Sequence, residues 1–521
     1  MKKTFLFLMT LCFFAFTNKA ISQTYSGGNG TESNPYLISS NADMVSLANA
    51  VNNGNNYSYN KYFLLTRDLA GVTTMIGYYG DYVSFQGTFD GGGHSLNVNI
   101  DLDNYDPWFY GTAGGAFGYL SGATIKNLTI TGTLTGSNGF LFSVELGGIC
   151  GSASSSTIIN CANQAGISTY SYSSNGLATS AHIGGICGEA IGGCNISFCN
   201  NTGNIQCSTT PTYAAGTYYS GGICGLSTNN NINQCSNTGG VSASCSTAYC
   251  TACAGGICGF VSGTPIKNCY NTGSIASSAP WIAGNAAYSG GICGNASESV
   301  ISNDYSTGNI KAYDYYAGGI CGSFDLSSSI NNCFVVASTM NATMYDWPFP
   351  DINWDYFVNR ICGDGAGEIN NCYALSSIQM NGATRNSSDA TSKDGADSNI
   401  SSFQSQSWIT SNLQWDFTNV WYMPSSPGYP LLKKIEDTWP TGINEINPIK
   451  VSVYPNPVQN ELFINSDLQI RKVEIYSLSG ALLISNNNFN GKISLSSLLK
   501  GTYIVKIYTE KGLTVSKVLK E

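Results

Sequence analysis

The sequence predicts an all-β chain: a β-solenoid (β-helix) whose N-terminal cap contains one helix, followed by a small C-terminal immunoglobulin-like β-sandwich. Three observations carry this. The first is a repeat: Gly-Gly-Ile-Cys-Gly starts at Gly147, Gly184, Gly221, Gly255, Gly290 and Gly318, preceded by Gly-Gly-Ala-Phe-Gly from Gly114 and followed by Arg-Ile-Cys-Gly from Arg360. Intervals of 28 to 41 residues are those of stacked coils. The second is composition. Only 10% of residues are charged while 42% are hydrophobic, so Gly, Ser, Thr, Asn and Tyr supply the polar surface, which suits turn-rich β-structure and not disorder. The third is a switch at Val451 to Lys-bearing, alternating short strands.

Taken in order, residues 1–22 read as a secretory signal peptide. Lys2 and Lys3 precede the apolar run Thr4 to Phe16, and Ala20-Ile21-Ser22 fits a small-x-small cleavage site. Leu11 is too bulky to precede a lipidated Cys12. No later apolar run approaches 18 residues, so no transmembrane helix is expected. Residues 23–113 form the cap and first coils. Ser40 and Asp43 resemble a capping box, Met44, Leu47 and Val51 make one apolar helical face, and Gly54 closes it. Strand-like runs follow at Tyr62 to Thr66 and Phe85 to Gly91.

Residues 114–432 hold the repeats and closing strands. A second constant element follows each Cys by 10 to 12 residues, as in Ile159-Asn160-Cys161, Ile266-Lys267-Asn268-Cys269 and Ile330-Asn331-Asn332-Cys333. Several copies continue into Asn-Thr-Gly-x-Ile/Val, as at Asn271 to Ile275. Ile and Val suit strands, while Asn and Gly at fixed offsets suit tight or left-handed bends. Stacking about 4.8 Å apart, eight coils span roughly 40 Å and need caps at both ends. Trp415-Asp416-Phe417, Val420-Trp421 and Gly428 to Leu431 read as the final edge-covering strands.

These repeats resemble the GLUG motif of bacterial surface β-helix proteins, including the non-catalytic region of some IgA-protease-related proteins. Asn34 to Ile38 and Phe89-Asp90-Gly91-Gly92-Gly93-His94 are similar to the leader segments common there. The resemblance covers residues 25 to 432 and implies architecture without a particular ligand.

Residues 433–449 read as a linker, with Pro440, Gly442 and Pro448. Residues 450–521 resemble the C-terminal sorting domain of the type IX secretion system, type A, on Tyr454-Pro455-Asn456-Pro457, Gly480, Gly501, Tyr503 and the run to Lys517 and Lys520. That resemblance implies a partner in the type IX secretion machinery and passage through the outer membrane. It leaves open whether the mature protein is released or attached.

Charge excludes one class of partner. Of the net −9, the last 77 residues contribute a positive share, leaving −12 on the preceding 444 with no basic run, so nucleic acid is not expected. Eighteen cysteines remain after signal removal, thirteen at ladder positions. Disulfides are permitted in an exported chain. Cys293 is matched by Asp304 where its siblings have a second Cys, so pairing is not obligatory, yet Phe117 and Leu128 replace both members in the first coil as a pair would. Small buried residues in stacks are the expectation. Cys194, Cys207, Cys245, Cys250 and Cys253 lie off the ladders, four of them in variable segments suited to disulfides between loops. Cys250-x-x-Cys253 lacks a second half for zinc. No metal or cofactor is expected.

An enzyme needs acids and bases in register. Across 112 to 330 the acids are only Glu145, Glu189, Glu298, Asp304, Asp314 and Asp325, and no two share a ladder offset in adjacent coils. The paired carboxylates of a glycoside hydrolase are therefore not apparent. A carbohydrate-active enzyme would draw on 81–106 and 346–368, with Asp101, Asp103, Asp106 and Asp364. His94 reads as a turn residue and His182 as a loop edge.

The variable segments are rich in aromatics instead. Two residues before each Gly-Gly pair stand Glu145, His182, Tyr219, Cys253, Tyr288 and Tyr316, with Tyr218, Trp281 and Tyr313 nearby. A line of aromatics along one side of a rod suits stacking on sugar rings or contact with a protein. The expectation is a secreted, surface-displayed scaffold or adhesin that binds glycans or surface proteins, with no catalysis; a passive spacer is the further alternative.

Overall fold

The structure is a computed structural model. It describes residues 25–521 except 55, 79–82, 106–112, 138–142, 172–179, 210–214, 247, 281–283, 314, 344–356, 426, 434–450, 467–468, 478–481, 488 and 510–511. The signal-peptide assignment and all of the linker but Lys433, with Cys12, Asp106, Trp281 and Gly480, lie outside the described residues. The chain divides into two units, Met1–Ile435 and Glu436–Glu521.

The first unit is a β-solenoid. One coil shows the plan: strands Ala181–Gly184, Cys187–Ile191, Asn195–Ser197, Asn200–Asn201 and Ile205–Thr209. Each pairs in parallel with its counterpart in the next coil, as in Ile183↔Ser220, Cys187↔Cys224, Ile196↔Ile232, Asn201↔Asn237 and Ile205↔Val241. The strands before and after the Gly-Gly pair build two eight-stranded sheets. The isoleucine strands build an eleven-stranded sheet that already begins at Tyr36–Ile38 in the cap.

Crowding at the bend explains why the motif recurs. A Cβ on Gly184 would lie 2.1 Å from the Cys187 carbonyl oxygen, and one on Gly188 2.6 Å from the Gly151 oxygen of the preceding coil. One on Gly185 would lie 2.2 Å from the Gly222 oxygen and 2.5 Å from the Asn201 side chain. Ile186 and Cys187 between them are fully buried. Only glycine lets the chain turn inside a neighbouring coil at this spacing.

The buried side chains run as ladders. Phe117, Cys150, Cys187, Cys224, Cys258, Cys293, Cys321 and Cys362 pair in series. Their sulfurs are not bonded to one another; those of Cys150 and Cys187 are 3.4 Å apart. The second series, Cys161, Cys199, Cys235, Cys269, Cys333 and Cys372, is likewise free. The one disulfide among the described residues joins Cys245 to Cys250, within a single loop and not between neighbouring loops. A third ladder lies at the Asn of Asn-Thr-Gly. Asn163, Asn201 and Asn237 each donate from Nδ2 to the Oδ1 of the next Asn at 2.7 Å, ending on Asn271, which bonds Ser306. The sequence pattern suggests a bend residue at this Asn. In fact it is completely buried, and its amide is satisfied jointly by the neighbouring Asn and by the carbonyl two residues further on in its own coil.

Asp304 interrupts the second thiol series. It is fully buried; its Oδ1 accepts from Cys269 N while Oδ2 has no partner. Burial pushes its carboxyl well above the ordinary aspartate value. Because the folded value exceeds the unfolded one, near 3.9, the cost is absent below that pH and grows as pH rises toward the folded value. Asp304→Cys, which restores the series, is therefore expected to stabilise by about 1–3 kcal/mol near pH 7 and by less at pH 4. Melting curves of both proteins at the two pH values check this; a gap independent of pH would contradict the protonated carboxyl.

The cap follows expectation. Helix α1, Asn41–Asn52, buries Met44, Leu47 and Val51, and Ser40 caps it by accepting from Asp43 N. Burial opposes charge on Asp43, but bonds from Ser39 N, Ser26 Oγ and Ser40 Oγ outweigh it and hold the carboxyl below its ordinary value.

The closing segment departs from expectation. Trp421–Tyr422 and Leu431–Leu432 do pair as antiparallel strands, but Trp415-Asp416-Phe417 is not a strand, and two helices, Ile400–Phe403 and Gln406–Leu413, precede it. This segment covers a flank. Tyr270, Tyr305 and Phe334 stack there at 5.1 and 4.8 Å, and Phe403, Trp415 and Trp421 pack over them. The solenoid's end is covered instead by the preceding loop, whose Lys393 carbonyl accepts from Ile361 N and Cys362 N.

The second unit is a sandwich of two antiparallel sheets. One contains Val451–Tyr454, Glu461–Ser466 and Lys492–Ser494; the other contains Leu482–Asn486, Ile470–Ser477, Gly501–Thr509 and Gly512–Lys520. Alternating Leu462, Ile464, Val473, Ile475, Val505, Ile507 and Val518 fill its core, with Tyr503 donating to the Leu499 carbonyl. Asn456 ties the opening segment to the last strand: its Nδ2 donates to Lys517 O and its Oδ1 accepts from Leu519 N. Tyr454 stacks on Phe463 at 5.8 Å.

Candidate functional site

The strand before each Gly-Gly pair presents one outward position. The register aligns Glu145, His182, Tyr219, Cys253, Tyr288 and Tyr316 on a single line, as the spacing predicts. A second line, Ser152, Glu189, Leu226, Phe260, Asn295, Ser323 and Asp364, comes from the strand after the bend. The bend brings the two lines together along one edge of the solenoid.

Tyr219, Tyr288 and Tyr316 are half-buried on this edge. Tyr219 lies between His182 and Phe260, nearly parallel to both, at 5.2 and 5.1 Å. Tyr288 stacks on Tyr316 at 5.9 Å, and Tyr316 meets Phe357 at 5.1 Å. Burial raises all three phenols, Tyr288 to about 12. The coil spacing is close to a ring-stacking distance, so in-register rings cover each other's faces and present their edges. The expected stacking of sugar rings on Tyr219 and Tyr316 is therefore blocked; edges and hydroxyl groups remain.

Two other candidates leave the row. Tyr218 is 1% exposed, because successive strand residues point to opposite faces, and Ala181 and Ala252 on either side make room for its ring inside. Tyr313 belongs to the strand Ile310–Tyr313 in another sheet, with Lys311 Nζ 4.1 Å from its ring centre.

At the row's N-terminal end is an arrangement that no single spacing in the sequence announces. Glu145, His182 and Glu189 bring one donor atom each within 4.8 Å of one another. His182 is 7% exposed; its Nε2 lies 3.3 Å from Thr217 Oγ1, and its Nδ1 is 3.9 Å from Glu189 Oε1 with no hydrogen-bond partner. Ser143 Oγ donates to Glu145 Oε1. Burial lowers His182 to about 4; burial and then the Glu145 charge raise Glu189 to about 7. The signal was present at mirrored offsets: Glu145 stands two before one Gly-Gly pair, and Glu189 two after the Cys of the next coil. The two acids share no single offset, so the repeat spacing alone does not pair them.

Of the acids expected of an enzyme, the described Asp101, Asp103 and Asp364 have partners. Asp103 accepts from Ser137 N and Oγ, and Asp101 from Asp103 N and Asn104 Nδ2. Both line an open groove of about 470 Å³ with Tyr170, which is 50% exposed. Asp364 pairs with Lys393 at 3.0 Å, and His94 sits at its turn facing Asp68.

Fold and tail together define an exported β-solenoid. Residues 452–521 match the family described as the secretion system C-terminal sorting domain. This tail marks the chain for type IX secretion and places it at the outer-membrane surface. No helix among the described residues is long and apolar enough to cross a membrane. No curated protein matches the chain. Among solved structures it is similar to one described as "a putative immunoglobulin A1 protease from Bacteroides ovatus", at 20% identity and a TM-score of 0.37, over 79% of this chain and 96% of that one.

Proposed function

We propose that this protein is a surface-displayed binding scaffold that engages a glycan or a surface protein through the edge from Tyr219 to Tyr316, with no catalysis of its own. The observation that carries this is that Tyr219, Tyr288 and Tyr316 share one register position along the sheet, with buried Cys253 between the first two. Their order costs little further entropy on binding, and their hydroxyls and ring edges give hydrogen bonds beside apolar surface.

A screen of the full chain against glycans and cell surfaces tests the reading. Tyr288→Ala with Tyr316→Ala is expected to weaken any captured ligand at least about tenfold, as loss of a tyrosine hot spot does. Capture unaffected by that pair would move the site off this edge; capture of nothing would favour a passive spacer.

One observation favours a carbohydrate-active enzyme: Glu189, raised to about 7, faces Glu145. Against it, Glu145 is 3% exposed, which leaves no room for a sugar ring between the two. Polysaccharide depolymerisation by the purified protein, abolished in Glu189→Gln, would replace the binding reading.

A further inference from the structure

We propose that Glu145, His182 and Glu189 form a binding site for a divalent transition-metal ion of the zinc class, held between two successive coils. The donor set is one imidazole nitrogen and two carboxylate oxygens, all within 4.8 Å. Bonds of about 2.0–2.2 Å to a tetrahedral ion place donors roughly 3.4 Å apart. Side-chain rotation supplies that contraction, because the backbone already aligns the residues: Glu145 is the direct strand partner of His182, and Glu189 faces His182 across the bend.

The second observation is an unsatisfied buried group aimed into the cluster. His182 Nδ1 is buried, aimed at Glu189 and without a hydrogen-bond partner. An orphaned buried nitrogen costs about 1–3 kcal/mol, which a bound cation relieves. The other nitrogen lies against Thr217 Oγ1, the outer contact that orients a ligating imidazole. Ser143 holds Glu145 in the same way. Among the described residues no Lys or Arg pairs with Glu189. Imidazole with carboxylates suits zinc, cobalt, nickel or copper better than calcium or magnesium. Three protein donors leave one coordination position of a tetrahedral ion for water.

The test uses the full chain, stripped with a chelator and titrated with Co²⁺, Zn²⁺ and Ca²⁺. One equivalent of Co²⁺ should bind with visible ligand-field bands and no thiolate charge-transfer band, Zn²⁺ should displace it, and Ca²⁺ should not. His182→Ala and Glu189→Gln should each weaken Co²⁺ about a hundredfold, at least the loss seen for outer-contact mutations of metal sites. Glu189→Gln is nearly isosteric, so it decides the matter if His182→Ala fails to fold. Unchanged affinity in Glu189→Gln, a thiolate band, or no bound Co²⁺ in the parent protein would overturn the site.

Discussion

Gly222→Ala is expected to stop the solenoid from folding. Its Cβ would lie 2.1 Å from the Gly256 carbonyl oxygen and 2.4 Å from Asn237 Cγ, distances at which something must shift. The first obstacle is backbone of the next coil, and it cannot retreat without breaking the pairing of Gly216–Gly221 with Cys250–Gly255. The second is a member of the buried amide ladder, whose displacement breaks its bonds to Asn201 and Asn271. Overpacking and broken buried amide bonds both act here, so a loss above about 4 kcal/mol is expected. Gly166→Ala is the control, since a Cβ added there would meet nothing within 4 Å; a change within about 0.5 kcal/mol is expected. Soluble yield and thermal melting followed by circular dichroism measure both. A Gly222→Ala protein that melts like the parent would show that the coils can separate more easily than their packing implies.

The second large effect is expected at the solenoid's end. Arg360 occupies the position that is the second glycine in earlier coils. A side chain fits there because no further coil follows, and it lies completely buried. Its Nη1 meets Asp397 Oδ1 at 2.6 Å and its Nη2 donates to the Gly395 carbonyl, so the guanidinium ties the covering loop to the last coil. Asp397→Ala leaves that charge buried without its partner, and about 3–5 kcal/mol should be lost. The double variant Arg360→Leu, Asp397→Leu should recover much of the loss, since an apolar pair carries no desolvation penalty. Thermal melts of the parent, single and double variants decide it. A loss under about 1 kcal/mol in Asp397→Ala would mean that Asp394, 4.0 Å from Nε, holds the guanidinium instead.

The two positions show how differently one motif can be read. Gly222 was legible because its neighbours repeat it, and repetition at a fixed interval has one physical cause, coils in register. Arg360 departs from the repeat, and only the structure shows that its side chain fits because no further coil follows and that it ties down the covering loop. The aromatic line falls between these cases. Its register was legible from offsets to the Gly-Gly pair, but the direction of Tyr218 and the mutual covering of Tyr219, His182 and Phe260 were not.

The sequence by itself determined the rod, the cap helix and the sorting sandwich. Each depends on short-range pattern: a repeat interval, an apolar helical face behind Ser40, and strands that alternate from Val451. The tertiary structure alone decided that the ladder thiols stay free, that Asn163 to Asn271 bond across coils, and that the closing helices cover a flank. It also decided that Glu145, His182 and Glu189 converge. Those facts depend on distances between coils and across the bend, where residues at unlike offsets meet. Variable segments that stretch the interval from 28 to 41 residues hide such meetings from any single spacing in the chain.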